Sequence, residues 1–335
     1  MEIISKNFVE NPLVSIVIPS YNRADTVSQT INSIVNQQCD FDFEIIIGDD
    51  CSTDNAQDIL LSYQSGYPSI IKLLFHDENI GLGANWATCI KQCRGKYIAN
   101  CDNDDYWHNL QKLQLQVEFM EQNPKYGLCH TDYRVLNRST GKLTAHICQN
   151  TLKRKERERE TTTIQSLMRG IGCNASVIYK KNELLQYVNM DDYIKYRFSL
   201  QDWNTWMLLS PFTEFGCLHV STATFGVEKS SITRPKSINA LEKRWQGQKE
   251  CYKYICEKLP TYYPYLEKEF DDHVNVICLN YSFETFDYRN AKKYALRCNP
   301  SFKVRCAKHS LLFYFYAIAG KLKRSFSLLF SLIRL

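Results

Sequence analysis

Residues 13 to about 133 predict an α/β fold, a mainly parallel sheet flanked by helices. Two observations carry this expectation. Short apolar runs alternate with amphipathic helical patterns, as a sheet whose crossovers are helices requires, and each run closes on polar or acidic residues. With 335 residues the chain can hold one large domain with an appendage, or two domains. From about residue 239 the pattern is helical and rich in tyrosine, so a helical C-terminal extension follows the sheet.

The elements follow in order. Leu13 to Ile18 reads as the first strand, broken by Pro19 and Asn22, after which Val27, Ile31, Ile34 and Val35 share one helical face. Phe43 to Ile47 is the second strand and ends at Gly48-Asp49-Asp50. Thr53 and Asp54 are placed to cap a helix running towards Tyr63, and Ile70 to Phe75 forms a third strand. The loop Asn79-Ile80-Gly81-Leu82-Gly83 opens the next helix. Gly95 then leads into Lys96 to Cys101, a buried strand that runs straight into Asp102-Asn103-Asp104-Asp105. After Tyr133 the alternation stops, and the charged run Lys153 to Glu160 reads as an exposed helix or mobile loop. Cys173 to Tyr179 reads as a further strand, and a helix with two tryptophans starts near Leu200.

Composition narrows the function classes. The 14 cysteines are scattered without a CxxC pair, and no signal peptide precedes the first strand, so the expectation is free thiols in a reducing cytoplasm. Cys89 and Cys93 are four apart in an amphipathic pattern, which speaks against zinc there. The net charge of +5 gathers in the tail, where basic residues flank apolar runs. That arrangement suits solvated faces or a membrane-surface helix better than a nucleic-acid stripe, and no nucleic-acid partner is expected.

The aspartates carry the chemistry. Carboxylates crowded at the end of one strand repel each other and lose hydration, so a cation or a polar ligand must offset the cost. Oxygen-only ligands point to Mg²⁺ or Mn²⁺, and an ion held by one or two carboxylates usually also holds a phosphate. Tyr21, Asp49, Asp50, His76 and the aspartates all fall at the carboxyl ends of strands, where open α/β sheets collect ligands.

Four segments in order and spacing resemble the family-2 glycosyltransferases: Val14 to Arg23, Ile47 to Asp54, Asn79-Ile80-Gly81, and Asp102 to Trp107. The resemblance covers about the first two-thirds of the chain. It implies a GT-A fold over 1–238, with a nucleotide-sugar half at about 1–133 and an acceptor half at about 134–238, followed by the helical region 239–335. It also implies a nucleotide-sugar donor, a divalent metal and transfer of a hexose with inversion at the anomeric carbon.

Carried over residue by residue, the resemblance places Pro19 and Tyr21 beside the nucleotide base. Asp50 would accept a hydrogen bond from a base N–H, which favours uracil and hence a UDP donor. Asp102 and Asp104 match the Asp-x-Asp pair that holds the metal and the donor, while Asp105 is extra charge or a helix cap. Gln201-Asp202-Trp203 stands where relatives carry Glu-Asp, so Asp202 is the expected base and Gln201 a departure. Relatives also carry a late histidine near the metal; if the register holds, Glu228 takes its place as a third metal ligand, with Lys229 facing phosphate. His219 lies too early for that role and reads as a strand-end histidine. Trp107, Trp203 and Trp206 are candidates to stack on sugar rings, Trp206 equally a core residue.

The tail at 309–335 holds two apolar runs split by Lys321-Leu322-Lys323-Arg324, too short to span a bilayer. An interfacial helix on an anionic membrane and a helix packed on the protein are both open. The implied acceptor is a glycan or a lipid-linked glycan, as in surface polysaccharide synthesis, and the implied location is the cytoplasm or the inner face of the membrane. Other classes are a sugar-phosphate nucleotidyltransferase, an Asp-x-Asp phosphatase and a degenerate nucleotide-binding scaffold. Pro19-Ser20-Tyr21-Asn22 argues against the first and Tyr106 against the second. Gln201 and the missing histidine are the support for the third.

Overall fold

The computed structural model describes residues 1–5, 9–146, 173–227, 237–263, 267–314, 316–318 and 320. It divides into two compact units, Met1–Glu228 and Lys229–Leu335.

The first unit is built on β1 (Glu2–Ile4), β2 (Val14–Ser20), β3 (Phe43–Asp49), β4 (Ile71–Phe75), β5 (Tyr97–Asn100), β6 (Tyr106–Trp107), β7 (Tyr126–Asn137), β8 (Lys142–His146), β9 (Ile178–Lys180) and β10 (Glu214–Val227). They form one sheet in the order β1-β4-β3-β2-β5-β9-β7-β10-β6, with β8 paired to β7. Strands β4, β3, β2 and β5 are mutually parallel, while β9 runs antiparallel to both β5 and β7. The chain steps outward from β2 to β3 to β4, then crosses back to β5 on the other side of β2. That reversal opens a crevice at the carboxyl ends of β2 and β5.

The helices pack as their apolar spacing dictates. In α1 (Val27–Val35) the residues Val27, Ile31 and Ile34 are fully buried, each contributing roughly 1.5–3 kcal/mol of apolar burial. Beyond α2 (Ala56–Gly66), α3 (Leu82–Gln92) approaches β3 so closely that a Cβ on Gly48 would lie 2.1 Å from Asn85 Oδ1. After α4 (Lys112–Gln122) the chain enters β7, and α5 (Lys181–Tyr187), α6 (Met190–Tyr196) and α7 (Asp202–Leu209) lead to β10.

Three expectations are corrected here. The run from Cys173 is strand only at β9, because Asn174–Ser176 is a 3₁₀ turn closed by Ser176 Oγ donating to Cys173 O at 2.7 Å. The strand pattern does not stop at Tyr133, since β7 continues to Asn137 and turns back as β8. Asp105 caps no helix: it is fully buried, and the next helix starts at Lys112. The charged run 153–160 lies outside the described residues.

The second unit consists of α8 (Ile238–Lys258), α9 (Glu267–Glu284), α10 (Tyr288–Ala295) and α11 (Phe302–Ala307). Leu241, Cys278, Leu279, Phe283, Ala291 and Tyr294 form its core. At the start of the tail Phe313 packs on Phe283, ring centroids 4.6 Å apart, while Leu311, Leu312 and Ile318 are exposed. Among the described residues no helix is long and apolar enough to cross a membrane.

Candidate active site

The rim is assembled from loops that brace one another. At the ends of β2 and β3, Asn22 and Cys51 take positive φ values of 50° and 60°, which turn the chain sharply and which asparagine tolerates better than most residues. Asn22 Oδ1 accepts from Thr53 N at 2.7 Å, Asn22 N donates to Ser52 Oγ at 2.9 Å, and Ala24 N donates to Asp54 Oδ2 at 2.9 Å. Asp54 Oδ1 also accepts from Ala56 N, the first residue of α2, at 3.0 Å. Several motif residues thus hold the two loops together rather than face a ligand.

Tyr21 stands on this rim 46% exposed, so its ring face is accessible to a planar group. Pro19 is buried inside β2. Pairing with β5 ends at Val17 opposite Asn100, so on that side no ladder bond is lost to the missing N–H. Asp49 is occupied by its own turn, accepting from Ser52 N at 3.0 Å and Gln57 Nε2 at 2.8 Å. Asp50 is buried and accepts from Ile80 N at 2.7 Å and Gly81 N at 2.9 Å. Its two oxygens therefore clamp the loop before α3, and any bond to a base would use a remaining lone pair. His76 is buried against Asn85 Oδ1 at 3.1 Å.

The aspartate loop is held from every side. Thr26, just before α1, and Thr30 within it donate to the carbonyls of Asn103 (2.8 Å) and Asp105 (2.6 Å), and Asn103 Nδ2 donates to Ser20 Oγ at 3.0 Å. Asp105 Oδ1 accepts from Gly226 N at 2.8 Å. A Cβ on Gly226 would fall 2.2 Å from Asp104 O, so this contact needs glycine. Burial, then Asp104 and Asp102, push the Asp105 carboxyl well above the usual range. Through its bond to Gly226 N it braces the loop against β10.

Asp102 and Asp104 are left facing the crevice, both partly exposed. Asp102 Oδ1 accepts from Asn174 Nδ2 at 3.2 Å and Gln201 Nε2 at 3.3 Å. Behind Asn174 the chain of donors continues: Asn100 Nδ2 donates to Asn174 Oδ1 at 3.0 Å, and Trp86 Nε1 to Asn100 Oδ1 at 3.1 Å. Burial, then Asp104 and Asp202, still raise the Asp102 carboxyl from 3.8 to about 7. Arg23 sits 3.5 Å from Asp104 Oδ2 and offsets part of the negative charge. Asp202 opens α7, where the helix dipole favours a carboxylate, and its Oδ1 accepts from Trp203 N at 2.6 Å. The structure thus brings Asp102, Asp104 and Asp202 into one electrostatic group.

These donors fit a hard divalent cation. They are carboxylate oxygens only, they repel one another, and Arg23 reaches Asp104 on a long side chain. Glu228 and Lys229 lie outside the described residues. Trp107 is core, not a sugar platform: it is 2% exposed and its Nε1 donates to Ala175 O at 2.9 Å. Trp206 is likewise buried on Tyr179 OH at 2.8 Å, which leaves Trp203 partly exposed. Asn174 had no sequence signal, because it falls inside Cys173 to Tyr179, which read only as a strand.

The Glycosyl transferase family 2 profile matches residues 15–182, half of the chain. The chain belongs to this family. The family-2 chain is 26% identical to WfgD of Escherichia coli, a UDP-Glc:alpha-D-GlcNAc-diphosphoundecaprenol beta-1,3-glucosyltransferase, over 85% of this chain and all of WfgD. The first curated relatives it matches align at 34% to 38% identity, and the chain spans only 36% to 42% of their length. Among solved structures, Staphylococcus aureus TarS 1–349 in complex with UDP-GlcNAc has a TM-score of 0.54 at 18% identity, covering 88% of this chain and 78% of TarS. The mannosyltransferase PcManGT from Pyrobaculum calidifontis, in complex with GDP-Man and Mn²⁺, has 0.51 at 14% identity, covering 95% and 89%. Both are likenesses of fold, and the GT-A architecture of the family-2 chain accords with them.

Proposed function

We propose that this family-2 chain is an inverting glycosyltransferase that moves a sugar from a nucleoside-diphosphate donor, UDP-linked by preference, to a hydroxyl of a glycan or lipid-linked acceptor in surface polysaccharide synthesis. The observation that carries the reading is the bond from Gln201, the residue before Asp202, to Asp102 Oδ1, which sets the start of α7 against the aspartate pair at the end of β5. A nucleotide-binding scaffold has no need of that third carboxylate.

In this reading Tyr21 packs on the base, and Asp50 fixes the loop beside it while offering a remaining lone pair to a base N–H. Asp102 and Asp104 would hold Mn²⁺ or Mg²⁺, which supplies positive charge to the diphosphate oxygens. Asn174 and Gln201 aim Asp102 by donating to the same oxygen. A glutamate at 201 would set one more carboxylate against Asp102, where the amide of Gln201 donates instead, so the neutral residue suits this site. Asp202 takes the proton from the acceptor hydroxyl as its oxygen attacks the anomeric carbon from the face opposite the leaving diphosphate. The exposed Leu311, Leu312 and Ile318, with the basic run that follows, would lie on an anionic membrane and bring a lipid-linked acceptor near.

The test is a panel of nucleotide sugars scored by thermal stabilisation with Mn²⁺, then by transfer. Asp202→Asn should retain donor stabilisation and lose transfer by at least about 100-fold. Retained turnover removes Asp202 as the base.

A further inference from the structure

A second group of ligand-type side chains lies on the β7–β10 ladder, separate from the aspartate loop. We propose that Asp132, Cys217 and His219 form a binding site for a divalent transition cation of the zinc class. One ligand atom from each residue lies within 4.8 Å of those of the other two. Cys217 Sγ and His219 Nδ1 are 3.8 Å apart. In a tetrahedral zinc site the corresponding sulfur-to-nitrogen edge is about 3.5 Å, from bonds of roughly 2.3 and 2.0 Å. Small side-chain rotations therefore suffice for both atoms to reach one ion.

The backbone explains how the donors meet. Cys217 is opposite His130 and Leu218 opposite Thr131, but the next pair is Ser221 opposite Asp132. The irregularity leaves His219 and Val220 outside the ladder, and bulges of this kind re-aim a side chain. Burial is graded: Asp132 is 7% exposed, Cys217 partly buried and His219 exposed. A cation thus has a solvent-side entry at the imidazole and an anionic end inside.

The donor types select the ion. Thiolate and imidazole favour zinc over magnesium or manganese, whereas Asp102 and Asp104 offer oxygen alone. The two sites therefore sort different cations. Three protein donors leave one tetrahedral position for water or a fourth ligand. Because the donors come from two strands, the ion ties β7 to β10 at the ladder's irregular point.

The experiment uses the full chain, stripped with chelator and titrated with Co²⁺ alone. One equivalent should give a near-ultraviolet thiolate-to-cobalt band with intense tetrahedral visible bands, and Zn²⁺ should displace both. Asp104→Asn should keep the spectrum, which separates this site from the aspartate loop. Cys217→Ser should abolish the thiolate band, and His219→Gln, a change at an exposed position, should weaken Zn²⁺ at least about tenfold in chelator competition. Absence of the band in the wild type, or its persistence in Cys217→Ser, overturns the site. Should Cys217→Ser fail to fold, unchanged zinc affinity in His219→Gln does the same.

Discussion

Asp102→Asn should stabilise the protein in the absence of divalent metal, and more so as pH rises. The folded-state carboxyl is raised from 3.8 to about 7, first by burial and then by Asp104 and Asp202. Between those two values the unfolded chain releases a proton that the folded chain keeps, so the folded state loses stability with rising pH until about pH 7 and then levels off. At about 1.4 kcal/mol per pH unit the full penalty is about 4 kcal/mol at pH 8 and somewhat under about 2 kcal/mol at pH 5. Halving for the partial exposure of the side chain leaves roughly 2 and under about 1 kcal/mol. Asparagine is the right probe because its Oδ1 can still accept from Asn174 and Gln201, so charge is removed with little loss of hydrogen bonding. Denaturant melts followed by tryptophan fluorescence read the first unit, which holds Trp86, Trp107, Trp203 and Trp206 out of 5 tryptophans. The expected gain at pH 8 corresponds to a Tm rise of roughly 4–8 °C. Mn²⁺ should reverse the ranking, because only the carboxylate attracts it strongly. A destabilised Asp102→Asn at pH 8, or a gain that is the same at pH 5, refutes the reasoning.

Other outcomes follow from the same site. Asp104→Asn should remove the Mn²⁺ dependence of donor binding in calorimetry, and unchanged metal-linked affinity would eliminate Asp104 as a ligand. Asn174→Leu should lower Mn²⁺ affinity by about tenfold or more, read from the electron paramagnetic resonance signal of free Mn²⁺, while Asn174→Gln recovers part of it; equal affinity in both would mean that the amide does not aim Asp102. Removing residues 309–335 should release the protein from anionic vesicles in flotation, and persistent flotation would rule out the tail as the membrane contact.

Much of the site was legible because its pieces are contiguous. Asp102 and Asp104 sit in one short segment at the end of an apolar strand, and Tyr21 follows another. The partners that aim them were not, since Asn174 and Gln201 reach Asp102 across 72 and 99 positions. Asp50 reads in sequence as a ligand carboxylate, yet its oxygens already hold Ile80 and Gly81. Strand β7 escaped notice past Tyr133 because Arg134 to Asn137 are all half-buried, the polar ends no less than Val135 and Leu136, so hydrophobic period carries no signal there.

By itself the sequence determined the alternation of strand and helix, the mainly parallel character of the sheet and the place of the aspartates at a strand end, because those depend on side-chain period and on neighbours close in the chain. Tertiary structure decided which polar groups face solvent and which are spent holding loops, which tryptophans are core, and that Asp202 shares a field with Asp102. Those outcomes depend on register between distant strands, where a shift of a residue or two, as at the β7–β10 bulge, changes every partner.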